Sequence, residues 1–399
     1  MNYEINDKER LSPLSLGEGQ GVRLSIIILN WNGVDMMRRF LPSVVKNSPE
    51  AEIVVIDNGS TDDSIHFLET EMPEVRCIVL DKNYGFAEGY HRGLQELEAY
   101  PQSLQRGGEK PLSEENTETC SGGNAPLLKG GDGGRLYLLL NSDVEVPEGW
   151  LQPMLAYMDA HPEVAACQPK IRCQWAPEYF EYAGASGGFI DSLGYPYCRG
   201  RVFSTVEKDE GQYDTPADVF WVSGACLMVR SRLWKKLGGL DDRFFAHMEE
   251  IDLCWRLQLA GYRVTVVPES AVYHIGGGTL PNDSPVKLRF NYRNNLLLLE
   301  NNLAKTFRTQ GYSVEGALGK ARRRILVRML LDGASALSYL VTKKWACYKA
   351  VVKAHAEYWK LRRKPSPDEV ATQQKEVTIH GWYPKWMVPR ALTGRKINF

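Results

Sequence analysis

Hydrophobic runs alternate with amphipathic segments along the first hundred residues of the chain. Three runs, LSIIILN at 24–30, EIVVID at 52–57 and VRCIVL at 75–80, are rich in aliphatic residues and end near polar or turn-forming residues. Such short runs are typical of strands buried in a parallel sheet, and the segments between them fit helices. The order strand, helix, strand, helix, strand predicts an α/β fold with a doubly wound, mostly parallel sheet.

The same alternation continues in the second third of the chain. It resumes with RLYLLL at 135–140, and further strands are predicted at 164–169 and 218–231. A helix is predicted from Asp252 to Ala260, because its hydrophobic residues recur on one face. Within this helix, Asp252 and Arg256 are spaced for an ion pair across one turn.

The end of the chain has a different pattern. Residues from about 287 to 364 are expected to be helical, and residues 320–364 hold 13 Lys or Arg against only Asp332 and Glu357. Aromatic residues are interleaved with these positive charges. This combination predicts a segment that lies on the surface of an anionic membrane, although a solvated helix face is the simpler alternative.

These patterns divide the chain into three parts. Residues 1–22 are predicted to form a flexible tail, residues 23–300 an α/β domain, and residues 301–399 a helical, basic C-terminal region. Residues 101–134 contain eight glycines and few hydrophobic residues. Because such a segment buries too little surface to offset the entropy of ordering, we predict a flexible insertion there.

Composition excludes several classes of protein. Of 399 residues 43% are hydrophobic, and 48 Lys or Arg balance 49 Asp or Glu, which excludes overall disorder and gives no reason to expect nucleic-acid binding. The eight cysteines are scattered without a C-x-x-C pair, so neither a structural zinc site nor a disulfide framework is expected. The polar N-terminus has no signal-like hydrophobic core, and the run at 325–341 is short and interrupted by two charges. We therefore expect a cytoplasmic chain without a membrane span.

Polar residues follow four of the predicted strands. They are Asn30, Asp57, Asn83 and Asp143, and the carboxyl ends of parallel strands are where open α/β sheets bind ligands. An Asp at such an end, beside a phosphate-sized cleft, suits Mg²⁺ or Mn²⁺. For an isolated Asn-Ser-Asp sequence, however, a turn or a helix cap is the more common role.

The order of six sequence blocks is similar to that of a known family. The blocks are SIIILNWNG, VVIDNGSTDDS, NYGFAEGYHRG, LLLNSDVEV, VSGACLMVR and GGLDDRFFAHMEEIDLCWRLQLAGYRV. Together they resemble the family 2 inverting glycosyltransferases, particularly bacterial rhamnosyltransferase-like members, over about residues 23–300. The resemblance implies a GT-A fold, in which a doubly wound, mostly parallel sheet is followed here by the C-terminal helical extension.

The resemblance assigns a nucleotide-sugar site to the strand ends. It implies that Asn30, Trp31 and Asp57 surround a uracil or thymine ring, and that the loop containing Asn83 and Gly85 covers the ribose and the base. A buried Asp can accept a hydrogen bond from the pyrimidine N3 donor, which fits Asp57. The sequence DNGS is also typical of an Asx turn, and Gly85 of a plain glycine turn, so both alternatives stay open.

The metal site implied by the resemblance departs from the family pattern. Asn141 stands where the family has the first acid of Asp-x-Asp, which leaves Asp143 as the main carboxylate ligand of Mg²⁺ or Mn²⁺ and makes Asn141 a contact of the ribose or diphosphate. His274 falls where some members supply a further ligand to the metal or the diphosphate. Its alternative role is that of a packed or capping histidine.

The general base implied by the resemblance lies in the last block. The family's Glu-Asp pair is Glu249-Glu250 here, and by position Glu250 is the predicted base, with Glu249 second. The residue would take the proton of the attacking hydroxyl during inversion. Asp252 is expected to cap its helix or to pair with Arg256.

Two further positions are implied to contact the donor sugar or the acceptor. They are Trp221 and Gly224, in a segment that is also a good buried strand, so a core position for Trp221 is the alternative. Arg293 belongs to the recurrent Arg-Asn of the family, with a phosphate contact and a surface ion pair as its two candidate roles.

The resemblance therefore implies an inverting, metal-dependent hexosyltransferase of bacterial polysaccharide synthesis. It would move a sugar, such as the deoxyhexose rhamnose, from a UDP- or dTDP-linked donor to a glycan or lipid-linked acceptor at the inner face of the cell membrane. The alternative is a catalytically impaired nucleotide-sugar-binding or scaffold protein at the membrane. A dehydrogenase is disfavoured, because no G-x-G-x-x-G follows the first strand.

Overall fold

The computed structural model describes residues 23–105, 134–202, 205–276, 284–373 and 376–387. The predicted tail at 1–22 and most of the predicted insertion lie outside the described residues. The start of that insertion needs correction, because the helix that begins at Gly85 continues to Gln105. The predicted boundary at residues 300 and 301 also falls within one continuous helix, Pro285–Thr309.

A large mixed sheet forms the centre of the molecule. Its strands are β1 (Arg23–Asn30), β2 (Glu52–Asp57), β3 (Arg76–Val79), β4 (Arg135–Leu140), β5 (Val144–Glu145) and β6 (Val164–Cys173). The later strands of this sheet are β11 (Ala217–Asp218), β12 (Cys226–Arg230) and β13 (Arg263–His274). Among the described residues the order is β11-β13-β6-β12-β4-β1-β2-β3, and β5 pairs with β13.

Six of the nine described strands of this sheet run in the same direction. β3, β2, β1 and β4 are parallel to one another, and β6 is parallel to β13. β12 is antiparallel to both β4 and β6. The carboxyl ends of β1 and β2 are in register, with Asn30 opposite Asp57, so the predicted strand-end residues meet at one edge. The predicted α/β class with a mostly parallel sheet is confirmed.

Helices cover both faces of the sheet. On one face the hydrophobic core contains residues of α1 (Val34–Asn47), α2 (Ser64–Glu71) and α4 (Leu151–Ala160). On the other face it contains residues of α3 (Gly85–Gln105), α5 (Ser231–Lys236), α6 (Glu249–Leu259) and α7 (Pro285–Thr309). The strands are buried on both faces, which explains why their sequences are continuous hydrophobic runs rather than alternating ones.

A smaller sheet lies beside this core. It consists of β7 (Gly188–Asp191), β8 (Pro196–Cys198), β9 (Arg201–Val202), β10 (Thr205–Val206) and β14 (Trp382–Tyr383). β14 pairs with β7 in parallel, which ties the end of the chain to its middle. The prediction of one long strand at 218–231 is wrong for the middle of that segment. Only its two ends are strands, and the residues between them leave the sheet.

The predicted helical C-terminal extension is confirmed. It consists of α8 (Val314–Val341), α9 (Trp345–Leu361) and the short α10 (Pro367–Ala371) after α7. Arg328 and Asp332, the charges that interrupt the hydrophobic run of α8, form a buried ion pair at 2.8 Å. Within the described residues, no helix has the length and hydrophobicity needed to cross a membrane.

Candidate active site

The ends of β1 and β2 are joined by a network of buried side chains. Asn30 Nδ2 donates to Asp57 Oδ2 at 3.0 Å and to Ser64 Oγ at 2.9 Å. The other oxygen of Asp57 accepts from the backbone N–H of Ser60 at 2.8 Å. Asp57 therefore forms the Asx turn that its sequence also permits, and it is fully buried. Its predicted contact with a pyrimidine base stays a prediction.

The predicted ribose loop is anchored by a residue that sequence reasoning missed. Asn58 Nδ2 donates to Asn83 Oδ1 at 3.1 Å and to the carbonyl of Gly85 at 3.0 Å, while Asn58 Oδ1 accepts from Tyr84 N at 3.0 Å. Gly85 has a φ of +80°, and a Cβ there would lie 2.5 Å from the ring of Phe245. A glycine is required at this position for both conformation and space.

The predicted metal residues meet at the end of β4. Asp143 Oδ1 and His274 Nε2 lie 3.1 Å apart, and both residues are buried. Asn141 Nδ2 lies 3.4 Å from the same His274 nitrogen. On the other side of the ring, His274 Nδ1 lies 3.6 Å from Glu181 Oε1. Glu181 was missed by the sequence analysis, since a single acid in a Tyr-rich stretch has no distinguishing pattern.

The charges around His274 are strongly coupled. Burial opposes the charged imidazolium, but the hydrogen bond with Asp143 and the nearby carboxylate of Glu181 outweigh it and raise the pKa of His274 to about 10. The imidazole is therefore protonated at neutral pH when only these two carboxylates surround it. Two acidic side chains thus lie against one basic side chain. This arrangement is suited to a metal cation that would take over the positive charge of the imidazolium.

The Glu249-Glu250 pair begins α6. Glu249 is buried, and its Oε2 has no hydrogen-bond partner among the described residues. Burial and the charge of Glu250 raise the pKa of Glu249 well above its ordinary value. Burial likewise raises the pKa of Glu250 to about 7, although backbone hydrogen bonds at the start of α6 act against it. A carboxyl with such a pKa is suited to accept a proton near neutral pH.

Glu250 lies beside the predicted ribose loop. A Cβ placed on Gly224 would lie 3.8 Å from Glu250 Cβ and 3.6 Å from the ring of Phe86. Gly224 therefore leaves space next to the candidate base, as its predicted role requires.

The segment that precedes the base has an unusual backbone. Phe245, His247 and Met248 have φ values of +61°, +71° and +73°. Such left-handed conformations are uncommon for residues other than glycine and cost energy that the surroundings must supply. We call residues 244–248 the base loop.

Arg293 and Asn294 of α7 hold the base loop. Asn294 Nδ2 donates to the carbonyls of His247 at 2.7 Å and Ala246 at 2.8 Å, and Arg293 Nη2 donates to the carbonyl of Phe244 at 2.6 Å. Both side chains are buried. The ion pair considered from sequence is present in part, because Arg293 Nη1 pairs with Glu357 Oε2 at 3.4 Å, but this pair is largely buried rather than at the surface. The predicted phosphate contact of Arg293 stays a prediction.

The two predicted tryptophans differ in placement. Trp31 is half exposed at the end of β1, where its ring is accessible to a ligand. Trp221 is buried, and its indole N–H donates to the carbonyl of Phe189 at 3.0 Å while its ring packs on Gly188. The predicted contact of Trp221 with donor or acceptor is therefore corrected to a core position. As predicted, Asp252 pairs with Arg256, at 2.7 Å.

Two segments of the chain match families of known proteins. Residues 25–98 match the family model described as "Glycosyl transferase family 2", and residues 137–282 match the one described as "Glycosyl transferase family group 2". Together the two matches cover more than half of the chain. Each includes part of the site, the first the ribose loop and the second the cluster of Asp143 and His274.

Individual relatives and structures are more distant. An N-acetylglucosaminyl-diphospho-decaprenol L-rhamnosyltransferase of Mycobacterium tuberculosis is 24% identical over 317 residues, covering 77% of this chain and 94% of the relative. The rhamnosyltransferase WbbL of Escherichia coli is 36% identical over 69 residues, 17% of this chain and 25% of WbbL. The crystal structure of GalNAc-T7 with UDP, GalNAc and Mn²⁺ superposes with a TM-score of 0.48 and 17% identity, covering 73% of this chain and 52% of that one.

The family matches agree with the sheet order and with the residues gathered at its edge. The chain belongs to the family 2 glycosyltransferases, it is similar to their rhamnosyltransferases, and its mostly parallel sheet with C-terminal helices is the GT-A fold of that family.

Proposed function

We propose that this glycosyltransferase inverts the anomeric centre of a sugar that it moves from a nucleoside diphosphate, UDP or dTDP, to a glycan or lipid-linked acceptor. The observation that carries the proposal is the half-buried Glu250, which begins α6 beside Gly224 and has a pKa raised to about 7. Inversion by a single displacement needs one base on the acceptor side. Glu250 has both the position and the basicity for this role.

The proposed transfer is a single displacement at the anomeric carbon. The acceptor hydroxyl oxygen attacks the anomeric carbon while the bond from that carbon to the diphosphate oxygen breaks. The hydroxyl proton passes to a carboxylate oxygen of Glu250, and the nucleoside diphosphate leaves with the bonding electrons. Burial and the charge of Glu250 raise the pKa of Glu249 and so favour its protonated form.

The cluster of Asp143 and His274 fits a divalent cation such as Mn²⁺ or Mg²⁺. Two ligands of one such ion, bound at about 2.1 Å in an octahedral arrangement, lie about 3 Å apart, which agrees with the 3.1 Å between Asp143 Oδ1 and His274 Nε2. Glu181 would then orient the imidazole from its other nitrogen. No group of three or more His, Cys, Asp or Glu side chains in the described residues is arranged to hold a metal, so donor phosphates would complete the shell. The bound ion would neutralise charge that builds on the leaving diphosphate.

The donor nucleotide is expected along the ends of β1 and β2. Trp31 is half exposed there and offers a ring face to the base. Asn141 lies beside His274 and is expected to contact the ribose or the diphosphate. Asp57 accepts one hydrogen bond from Asn30 and one from the backbone N–H of Ser60, and its carboxylate has lone pairs left to accept from the base.

The acceptor class is suggested by the relatives. The Mycobacterium tuberculosis relative is a rhamnosyltransferase whose name gives a lipid-linked diphosphate sugar as acceptor. We therefore propose L-rhamnose, or another deoxyhexose, as the donor sugar and an N-acetylglucosaminyl-diphospho-lipid as the first acceptor to test. Synthesis of a bacterial surface polysaccharide is the proposed setting.

A lipid-linked acceptor would require contact with a membrane surface, and α8 supports such contact. Its charged residues Arg328 and Asp332 face the protein interior, whereas Leu326, Leu330 and Leu337 are each more than half exposed. Exposed lysines and tryptophans continue this surface on α9. An exposed aliphatic stripe next to basic residues fits peripheral binding to an anionic leaflet, at the inner face of the cell membrane.

Donor binding by the purified protein tests the proposed function. A panel of UDP- and dTDP-sugars, each with and without Mn²⁺ or Mg²⁺, is screened by thermal shift. A donor at 100 times its Kd stabilises the protein by about 2.7 kcal/mol, and we expect one donor to do so only with metal. Release of nucleoside diphosphate with that donor then separates an enzyme from the alternative, a catalytically impaired scaffold. Binding without turnover with any acceptor would favour the scaffold.

A further inference from the structure

We propose that Asn294 is a positioning residue that sets the catalytic base by holding the backbone of the base loop. The inference rests on the proposed function, since it assumes that Glu250 is the base. Asn294 lies in the middle of α7, 44 positions after Glu250 in the sequence. It is fully buried and does not belong to the residues that would contact the donor.

The amide of Asn294 replaces the hydrogen bonds that regular structure would give the base loop. Its Nδ2 lies 3.0, 2.8 and 2.7 Å from the carbonyl oxygens of Phe244, Ala246 and His247. These carbonyls lie in a partly buried turn, where an unpaired carbonyl is costly. Asn294 Nδ2 has two N–H groups, and its two shorter contacts are with Ala246 and His247. The carbonyl of Phe244 also accepts from Ala246 N and from Arg293 Nη2.

The orientation of that amide is fixed by its neighbour. Arg293 Nε donates to Asn294 Oδ1 at 2.8 Å, which turns Nδ2 toward the loop. Arg293 Nη2 adds a fourth contact to the same loop, on the carbonyl of Phe244. An acid at position 294 would have no donor for the carbonyls, and a smaller side chain would not reach them.

The hydrogen bonds hold a backbone that would otherwise relax. Phe245, His247 and Met248 adopt left-handed conformations, and such strain persists only where the surroundings impose it. Met248 is also the N-cap residue of α6, and its side chain makes no capping hydrogen bond. Relaxation of the loop would therefore move the first turn of α6, which carries Glu249 and Glu250.

The loop also contacts the predicted ribose loop. The carbonyl of Phe245 accepts from Phe86 N at 2.6 Å, and the Phe245 ring covers Gly85 and packs on Phe290 of α7 at 5.5 Å. Phe86 in turn lies next to Gly224, beside Glu250. The base loop thus connects α7, the base and the donor side of the cleft.

Asn295 provides a matched control for Asn294. It is the next residue of α7, it is equally buried, and its Nδ2 also donates to a backbone carbonyl. That carbonyl belongs to Gly194, which lies outside the base loop. Asn294→Ala and Asn295→Ala therefore each remove a buried side-chain amide from α7. Only Asn294→Ala removes hydrogen bonds to the base loop.

The experiment compares kcat, donor KM, melting temperature and the pH dependence of kcat for wild type, Asn294→Ala and Asn295→Ala. Because misplacement of a catalytic group by about 1 Å can cost about 100-fold, we expect Asn294→Ala to lower kcat by about 10- to 100-fold and to displace the acid limb of the pH profile. Donor KM should change little. Asn295→Ala should lose comparable thermal stability and keep its kcat and its pH profile.

Equal kcat values in the two variants, or a loss in Asn294→Ala that appears in donor KM alone, would overturn the proposal. If Asn294→Ala does not fold, Arg293→Lys gives the same test, since lysine keeps the charge but lacks the planar fork by which two different nitrogens of Arg293 contact Asn294 Oδ1 and the carbonyl of Phe244. Its kcat should fall with donor KM retained, and an unchanged kcat would overturn the proposal. Glu250→Gln distinguishes failure of the proposed function from failure of this inference. A fully active Glu250→Gln would contradict the assignment of Glu250 as the base. An inactive Glu250→Gln together with a fully active Asn294→Ala would contradict only the positioning role of Asn294.

Discussion

Asp143 Oδ1 and His274 Nε2 lie 3.1 Å apart although 131 positions separate the two residues in the sequence. They meet because β5, which begins one residue after Asp143, pairs with the end of β13, where His274 lies opposite Val144. Sheet pairing, rather than a local motif, therefore builds the proposed cation site.

Removal of either residue should abolish the metal-dependent part of donor binding. We expect Asp143→Ala and His274→Ala to lose the stabilisation that Mn²⁺ adds to donor in a thermal-shift titration, because each removes one of two ligands. Glu145→Ala is the control, since Glu145 is an exposed carboxylate two residues from Asp143. Metal-dependent stabilisation that persists in both site variants would rule out this cation site.

The pH dependence of turnover should reflect the base. With the pKa of Glu250 raised to about 7 by burial, the carboxylate form dominates above that pH and the protonated form below it. A base must be deprotonated to act, so kcat should rise with pH and level off above about 7, falling about tenfold per unit on the acid side. A profile of kcat that is flat between pH 5 and pH 8 would contradict this assignment.

Glu249→Gln should stabilise the protein at alkaline pH. Burial and Glu250 raise the folded-state pKa of Glu249, so between the unfolded and the folded pKa the native state binds more protons than the unfolded state. Stability from this group is therefore lost as pH rises through that window. The melting temperature of the variant relative to wild type should be near equal at pH 4 and should increase toward pH 8. A difference that does not depend on pH would contradict the raised pKa.

The strands that are buried on both faces of the sheet could be predicted from the sequence. Strands β1, β2 and β4 are buried on both faces, so continuous hydrophobic runs mark them. The prediction of one strand over 218–231 failed because hydrophobicity does not distinguish a strand from a buried irregular segment. There, Trp221 packs on Gly188 and the chain leaves the sheet before Gly224.

The site could be predicted only in part. The strand-end residues follow from sheet topology, and the pairing of Asp143 with His274 was reached through the family resemblance rather than through spacing. Glu181 and Asn294 act through partners that are distant in sequence, and nothing in their local patterns reveals those partners. Trp221 shows the opposite error, because its buried contact with a neighbouring segment is invisible before the fold is known.

The exposed stripe of α8 should determine membrane binding. Each leucine that enters the interface contributes about 1.5–3 kcal/mol, so Leu330→Glu and Leu337→Glu should each weaken co-sedimentation with anionic phospholipid vesicles by about tenfold or more. Ser338→Glu adds the same charge at the neighbouring exposed position of the same helix and serves as the control. The basic residues predict weaker binding at high salt. Equal binding by the leucine variants and the control would exclude this stripe as the contact.

The central claim is that Glu250 is the base of an inverting sugar transfer. The most direct measurement compares wild type with Glu250→Gln, once a donor is identified, by single-turnover transfer and by the anomeric configuration of the product in NMR spectra. The account predicts an inverted product and a rate in Glu250→Gln lower by about 10²- to 10⁴-fold with donor Kd unchanged. A retained configuration, or an unchanged rate in Glu250→Gln, would contradict it.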